Sequence, residues 1–146
     1  MSKVVFCDLN RELVLKIKEL GIPVHWGDYF AHVRTIDKPV LMTASNPAFT
    51  FGGGIDAKFY ENYKGWCDDK QERPGYNERI ENICFVITVD NHLKASREKV
   101  KEAIQFSLDS LKEGETLLIH GAGCGIGANP QFTKDDFVVL LKELVL

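Results

Sequence analysis

The sequence predicts an α/β protein in which helices cover both faces of a mostly parallel or mixed sheet. Short apolar segments alternate with amphipathic ones along the 146 residues, in the order β α β β α β α β α. Three polar or glycine-rich segments, residues 27–28, 46–54 and 121–127, lie just after predicted strands. Because ligands bind such sheets at the carboxyl ends of the strands, we expect these segments to meet at one rim.

Five apolar segments predict the strands. Residues 39–43 are almost continuously apolar, which suits a strand covered on both faces, so we expect this strand to be central. Residues 83–89 are rich in β-branched side chains, which favour extended structure. The strands are predicted over residues 4–7, 22–26, 39–43, 83–89 and 116–120.

Four amphipathic segments predict the helices. Asn10 can cap the first helix through its side-chain oxygen, and Gly21 is a typical residue at a helix C-terminus. Thr133 can cap the last helix in the same way as Asn10. Residues 66–79 are polar and contain a Pro-Gly turn signal, which predicts a surface loop. The helices are predicted over residues 12–20, 55–63 and 96–112 and from residue 133 onward.

Length, composition and charge limit the classes to which the protein can belong. A chain of 146 residues fits one domain, residues 1–146, and 45% apolar content is ordinary for a globular protein. A net charge of -3 argues against a general nucleic-acid binder. No apolar run approaches the ~20 residues of a membrane span, and the first residues become acidic too soon for a signal peptide. We expect a monomer in the cytoplasm, or in the host cell cytoplasm if the chain is viral.

Cysteine and histidine spacing gives no sign of a metal site. The four cysteines contain no C-x-x-C pair, so we expect reduced and mostly buried thiols, and the four histidines show no metal-ligand spacing. The sequence therefore predicts neither a zinc site nor a cofactor. The cysteines are Cys7, Cys67, Cys84 and Cys124.

Residues 43–59 (TASNPAFTFGGGIDAKF) follow the central strand and carry three consecutive glycines, residues 52–54. Glycines let the backbone approach a ligand closely. If the next segment is helical, the amides of this loop lie at a helix N-terminus, where the helix dipole favours an anion. The segment therefore predicts a phosphate-binding loop, with Asn46 and Asp56 close by.

The same residues resemble a known family. Residues 46–56, NPAFTFGGGID, resemble without a gap the Asn-x-x-Leu-x-x-Gly-Gly-Gly-Val-Asp signature of macro domains, the ADP-ribose-binding α/β modules. Gly-Asp at residues 27–28 resembles the motif whose carboxylate contacts adenine in that family. Residues 121–127 resemble the loop whose amides hold the diphosphate and distal ribose. The resemblance covers residues 28 to about 137 and implies a three-layer α/β/α fold with a central mixed sheet.

The resemblance also implies roles for individual residues. Asp28 would contact adenine, and Phe132 lies where relatives carry an aromatic near adenine, with a core role as the alternative. In catalytic relatives of the MacroD type, an Asn and an Asp at the positions of Asn46 and Asp56 place a water near the anomeric carbon of the distal ribose. Thr43 stands where the family has an earlier Asn. The implied ligand-binding set is Asp28, Tyr29, Asn46, Gly52, Gly53, Gly54, Ile55, Gly123, Cys124, Gly125, Ile126, Gly127 and Phe132.

Other families fit the motifs less well. A dinucleotide fingerprint starting at Gly121 would need a glycine where Ile126 stands, and no strand follows to hold a ribose-binding acid. Asp8-Leu9-Asn10 resembles the Asp-x-Asp of haloacid-dehalogenase-type phosphatases, but the second acid and the following Gly-Thr are missing.

Two function classes remain open at this point. One is an enzyme that removes ADP-ribose from a modified side chain or hydrolyses an ADP-ribose 1''-ester or 1''-phosphate. The other is a non-catalytic reader of ADP-ribose or of ADP-ribosylated protein. A purely structural interpretation, in which the glycines only form turns, is the third alternative.

Overall fold

The computed structural model describes residues 3–125 and 129–146. Its strands are β1 (Val4–Asp8), β2 (Val24–Trp26), β3 (Pro39–Met42), β4 (Glu78–Ile80), β5 (Ile83–Phe85) and β6 (Thr116–Ile119). They form one six-stranded sheet in the spatial order β2-β1-β6-β3-β5-β4. Neighbouring strands are parallel except for the antiparallel pair β4 and β5. The predicted α/β class with a mixed sheet is confirmed.

Side-chain caps fix the ends of several helices. The Asn10 side chain accepts a hydrogen bond from the Leu13 N–H at 3.1 Å, as predicted. Thr133 caps the last helix and forms a capping box with Asp136. The helices are α1 (Arg11–Lys18), α2 (Tyr29–Val33), α3 (Gly54–Asn62), α4 (Lys64–Gln71), α5 (Arg97–Asp109) and α6 (Lys134–Val145).

The prediction of a surface loop over residues 66–79 is wrong. This stretch contains most of α4 and, after a turn, the first two residues of the edge strand β4. Its apolar periodicity is weak because α4 buries only Cys67 and Lys70. The Lys70 ammonium bonds the Arg73 carbonyl at 2.5 Å and the Glu78 carboxylate at 3.1 Å, and lies 3.9 Å from the centre of the Tyr76 ring. Polar tertiary contacts therefore order a segment whose sequence favours a loop.

Alternating strand residues build two cores on opposite faces of the sheet. In β3, Val40 and Met42 belong to the first core and Leu41 to the second. Buried residues of α1, α5 and α6 complete the first core, and those of α2, α3 and α4 complete the second. The sheet thus lies between two helical layers.

The four cysteines are all free, and three of them are buried, as predicted. None of the helices in the described ranges is long and apolar enough to cross a membrane.

The sheet order places three strand ends side by side. β6 lies between β1 and β3, and the three strands are parallel. Because adjacent strands are about 4.8 Å apart, the ends of β1 and β3 are separated by about 10 Å. The segments that follow β1, β6 and β3 therefore share one rim.

Candidate ligand-binding site

A cavity of about 830 Å³ lies at this rim. A volume of this size is within the range of ligand pockets, roughly 300–1,000 Å³. Residues 8–10 and 13 line it after β1, residues 44, 46 and 50–56 after β3, and residues 120–125 after β6; Val89 and Leu93 complete the lining. Of the three segments predicted to meet, those after β3 and β6 border this concave site, whereas residues 27–28 are not in its described lining.

Unpaired backbone amides face this site at the start of α3. The N-cap of α3 is Gly53, which has no side chain to cap the helix. No described residue accepts a hydrogen bond from the N–H groups of Gly54, Ile55 or Asp56. These donors and the helix dipole favour an anion. Since no lysine or arginine is among the described lining residues, main-chain groups supply the attraction for an anion.

The loop before α3 is held in one shape by two buried aromatic residues. Phe49 and Phe51 both have φ near +53°, a region that costs a side-chain-bearing residue about 1–2 kcal/mol. Both rings are buried in the second core, and Gln71 donates a hydrogen bond to the Phe49 carbonyl at 3.0 Å. Packing therefore offsets the backbone strain and fixes the path of the glycines that follow.

The Asn46 side chain is bound within its own loop. Its Nδ2 donates to Thr50 Oγ1 at 2.8 Å, and its Oδ1 accepts from the Thr50 N–H at 3.3 Å. Both residues line the cavity. The amide is thus oriented at the cavity wall, but a ligand must share or replace its present bonds.

Asp56 is a buried carboxylate that connects α3 to the end of β3. Its side chain accepts hydrogen bonds from the Ala44 N–H at 2.9 Å and from Ser45 Oγ at 2.5 Å. Burial raises the pKa of Asp56 to about 6, and the two hydrogen bonds act in the opposite direction. At neutral pH the group is therefore mostly ionised, and close enough to its pKa to exchange a proton.

The glycine segment after β6 is fixed by the neighbouring strand β1. Asp8 accepts a hydrogen bond from the Gly121 N–H at 2.7 Å and another from the Asn10 N–H at 2.8 Å. Gly123 has φ +83°, and a Cβ there would lie 2.9 Å from the Ala95 Cβ. A Cβ at Gly125 would meet no atom of residues 3–125 or 129–146 within 4 Å. Gly123 is therefore required by packing, whereas Gly125 has room for a side chain with respect to the described residues.

His120 and Cys124 line the cavity without reactive character. His120 Nε2 donates to the Met42 carbonyl at 2.9 Å, and burial lowers the pKa of this histidine, so the ring is neutral at pH 7. Burial raises the pKa of the Cys124 thiol to about 12, which keeps it protonated. Neither residue is placed to act as a cation or a thiolate nucleophile.

The structure brings most of the predicted site residues to one cavity. These are Asn46, Gly52, Gly53, Gly54, Ile55, Asp56, Gly123, Cys124 and Gly125. Ile126 and Gly127 lie outside the described residues.

Three predicted ligand contacts are not part of the described cavity lining. Asp28 is exposed at the end of the edge strand β2, where it caps α2 by accepting from the Phe30 N–H at 3.3 Å. Tyr29 is buried, and its hydroxyl donates to the Leu118 carbonyl at 2.6 Å and accepts from the Met42 N–H at 3.0 Å. Phe132 is buried in the first core, which agrees with the core role left open by the sequence.

The corner between β1 and α1 was not predicted to belong to the site. Asp8, Leu9, Asn10 and Leu13 of this corner line the cavity. The available signal was their position: the corner follows a strand, and all strands of a parallel sheet present their carboxyl ends on one side.

Neither protein-family models nor curated proteins match this chain. No group of three or more His, Cys, Asp or Glu side chains among the described residues is placed to hold a metal ion.

Proposed function

We propose that this protein is a macro-domain protein that binds ADP-ribose in the rim cavity and hydrolyses ADP-ribosyl linkages there. The observation that carries the proposal is the meeting of two glycine-rich segments with Asn46 and Asp56 at one cavity of about 830 Å³. The linkage would be that of a mono-ADP-ribosylated protein, an ADP-ribose 1''-ester or a 1''-phosphate.

The unpaired amides support binding of a diphosphate. The N–H groups at the start of α3 offer donors without lysine or arginine. In the glycine segment after β6, the amides of residues 121, 122 and 124 donate within the protein, and those of Gly123 and Gly125 have no acceptor among the described residues. The absence of cationic side chains from the described lining, together with the net charge of -3, is unfavourable for a nucleic-acid backbone. A single small diphosphate suits the site better.

Asp56 is the group that would act in hydrolysis. A water oxygen would bond to the anomeric carbon of the distal ribose while the bond from this carbon to the linkage oxygen breaks. Asp56 would take a proton from the water, and the leaving oxygen would gain a proton from solvent. A carboxylate with a pKa of about 6 suits proton transfer near neutral pH, and Asn46 would orient the ribose hydroxyls.

A non-catalytic reader of ADP-ribose is the second candidate, and one observation favours it. Both hydrogen bonds of the Asp56 carboxylate are made within the protein, to Ala44 and Ser45. A carboxylate held in this way stabilises the loop and has less freedom to accept a proton from water. A reader would bind the same ligand and release it unchanged.

Turnover separates the two candidates. The purified protein is incubated with a mono-ADP-ribosylated protein and with ADP-ribose 1''-phosphate, and released ADP-ribose is measured. An enzyme shows turnover that Asp56→Asn abolishes, while ADP-ribose binding to the variant is retained. Binding without turnover by the unchanged protein establishes the reader. No ADP-ribose binding in calorimetry overturns both.

Gly53→Glu is expected to remove ADP-ribose binding. A Cβ at Gly53 meets no atom of the described residues within 4 Å, so the fold accommodates a side chain, but the residue lines the cavity beside the unpaired amides of α3. A glutamate there occupies the space of the ligand and repels its phosphates. Calorimetry with ADP-ribose measures the loss, and a thermal melt close to that of the unchanged protein shows that the fold persists. Gly65→Glu, which is also in open space but outside the cavity lining, is the control.

Asp28→Ala is expected to weaken ADP-ribose binding by roughly 1–3 kcal/mol if Asp28 accepts a hydrogen bond from the adenine amino group. Because Asp28 also caps α2, Asp28→Ser is the better variant: serine retains the cap and removes the carboxylate. Titration heats and affinity equal to those of the unchanged protein would assign Asp28 to the helix cap alone.

A further inference from the structure

A chain of buried polar side chains leads from the cavity wall into the protein. Ser45 Oγ lies 2.5 Å from Asp56 Oδ2 and 2.9 Å from Thr43 Oγ1. Thr43 Oγ1 in turn lies 3.3 Å from the Val86 carbonyl oxygen and accepts a hydrogen bond from the Val86 N–H at 3.0 Å. Thr43 and Ser45 are 0% and 1% exposed, and Asp56, which lines the cavity, is 5% exposed. The two hydroxyl groups therefore depend on these contacts for their hydrogen bonds.

The single hydrogen of each hydroxyl group limits how the chain can be arranged. A serine or threonine hydroxyl donates one hydrogen bond and can accept two. Ser45 therefore cannot donate to Asp56 and to Thr43 at the same time. Two hydroxyl oxygens 2.9 Å apart need a hydrogen between them, and either Ser45 or Thr43 can supply it. The protonation state of Asp56 decides which residue does.

Ionised Asp56 directs the chain toward the carboxylate. Because a carboxylate only accepts, Ser45 donates to Asp56, and Thr43 donates to Ser45 Oγ. The distance of 2.9 Å makes Ser45 Oγ a better acceptor for Thr43 than the Val86 carbonyl at 3.3 Å. The Val86 carbonyl retains the hydrogen bond from the Ser45 N–H at 3.0 Å.

Protonated Asp56 directs the chain the other way. Its new O–H donates to Ser45 Oγ, Ser45 donates to Thr43 Oγ1, and Thr43 donates to the Val86 carbonyl. No proton leaves the chain in this change, because only the hydroxyl hydrogens rotate. Each hydrogen has an acceptor in both states, which matters because a buried donor without an acceptor is destabilising.

We infer that Ser45 and Thr43 are positioning residues whose hydroxyl groups reverse direction when Asp56 takes a proton from water. The inference rests on the proposed hydrolysis at Asp56 and adds the residues that allow a buried carboxyl to hold that proton. The Ser45 hydroxyl, which donates to the ionised carboxylate, becomes the acceptor for the carboxyl proton.

Burial and hydrogen bonds, rather than charged neighbours, set the pKa of Asp56 among the described residues. Burial raises this pKa, and the bonds from Ser45 and the Ala44 N–H lower it. The Cys67 thiol of α4 interacts with Asp56, but burial raises the pKa of this thiol to about 12, so it is neutral where Asp56 titrates. His120 borders the same cavity, and burial lowers its pKa. A change in the chain should therefore appear in the titration of Asp56.

NMR of the ligand-free full chain tests the reversal in the unchanged protein. Aspartate carboxyl and valine carbonyl groups carry carbon-13, and the Asp56 signal is assigned by its loss in Asp56→Asn. The Val86 carbonyl gains a donor when Asp56 is protonated, so its signal is expected to move with the same midpoint as the Asp56 carboxyl signal. Thr43→Val is expected to remove this movement. A Val86 signal that does not follow Asp56 overturns the inference.

Two variants are expected to move the Asp56 midpoint in opposite directions. Thr43→Val leaves the Ser45 hydrogen without an acceptor only when Asp56 is protonated, so the midpoint should fall by roughly one pH unit. Ser45→Ala removes a donor that favours the ionised form, so the midpoint should rise. Thr43→Ser keeps a hydroxyl and should titrate as the unchanged protein does. If Thr43 always donated to Ser45, Thr43→Val would raise the midpoint, and that result overturns the inference.

Thr88→Val is the matched control. Thr88 is as fully buried as Thr43, but its Oγ1 has no hydrogen-bond partner among the described residues, so the substitution removes no contact of that oxygen. The Asp56 midpoint is expected to stay unchanged in this variant. Thermal melts show whether each variant is folded, and the Val86 signal of the unchanged protein decides the matter if Thr43→Val is not.

Turnover of a mono-ADP-ribosylated protein is measured separately. The acidic limb of the kcat/KM profile, which reports groups of the free enzyme, is expected to move with the NMR midpoint in each variant. Turnover by the unchanged protein, without the expected NMR changes, overturns the inference and leaves the proposed hydrolysis standing. The NMR changes without turnover overturn the hydrolysis and the role of Ser45 and Thr43 in it, although the reversal itself stands.

Discussion

Replacing Gly123 by alanine is expected to lower the free energy of unfolding by about 2–5 kcal/mol. The φ of +83° costs a side-chain-bearing residue about 1–2 kcal/mol, and overpacking typically adds 1–3 kcal/mol. The new Cβ would lie 2.9 Å from the Ala95 Cβ, 3.1 Å from Phe132 and 3.2 Å from Val100, all buried in the first core. Urea denaturation without ligand measures the loss.

Gly125→Ala is the matched control for this prediction. It adds the same methyl group to the same glycine segment, two residues further on, where no atom of a described residue lies within 4 Å of the new Cβ. Its free energy of unfolding is expected to stay within about 0.5 kcal/mol of that of the unchanged protein. Equal losses in the two variants would contradict the packing explanation for Gly123.

Glycines that look equivalent in the sequence motifs have different surroundings in the structure. Gly123 is required by its φ and its neighbours, whereas a Cβ at Gly53 or Gly125 would contact none of the residues that the structure describes. A sequence motif shows where glycines occur but does not show which atoms surround them in the fold. Only the tertiary structure distinguishes glycines that pack from glycines that leave room for a ligand.

Elements with a strong local sequence pattern could be predicted from the sequence alone. The apolar residues of β3 and the capping residues Asn10 and Thr133 specify their structures through nearby atoms, and all three features were predicted. α4 and β4 were not predicted, because Lys70 and its partners order them through contacts that link different elements. The position of β1 between β2 and β6 is likewise set by packing distant in sequence.

In the candidate site, too, some residues could be predicted from a local motif and others depend on packing between distant segments. Asn46 and Asp56 belong to one short motif, and the structure places both at the cavity. Whether Tyr29 and Phe132 are buried depends on strands and helices far along the chain, and both lie in the cores. The corner around Asn10 could be added to the site only once the strand order was known.

Asp56→Asn is expected to gain stability relative to the unchanged protein as the pH rises. The pKa of Asp56 is about 6 in the folded chain, against 3.8 for an ordinary aspartate. The folded state therefore binds the extra proton between these values, and the stability of the unchanged protein falls as the pH rises from about 4 to about 6. A pKa difference of this size corresponds to roughly 3 kcal/mol.

The asparagine variant has no such dependence at this position. Its Oδ1 can accept from the Ala44 N–H, and its Nδ2 can donate to Ser45 Oγ, so both present contacts are kept. Urea denaturation at pH 4 and pH 7.5 should show the variant gaining roughly 2–3 kcal/mol relative to the unchanged protein. Asp37→Asn, at an exposed aspartate, is expected to show no such gain. Parallel pH profiles for Asp56→Asn and the unchanged protein would show that Asp56 has an ordinary pKa.

The same substitution bears on function. An amide at position 56 would keep both contacts without the cost of ionising a buried carboxyl, so the contacts to Ala44 and Ser45 do not by themselves explain a carboxylate there. Residues that cost stability are commonly those that function requires. Loss of turnover in Asp56→Asn together with a gain in stability at pH 7.5 would show that the carboxylate serves the chemistry. A gain in stability with ADP-ribose binding unchanged, in a protein that shows no turnover, would assign the site to the reader.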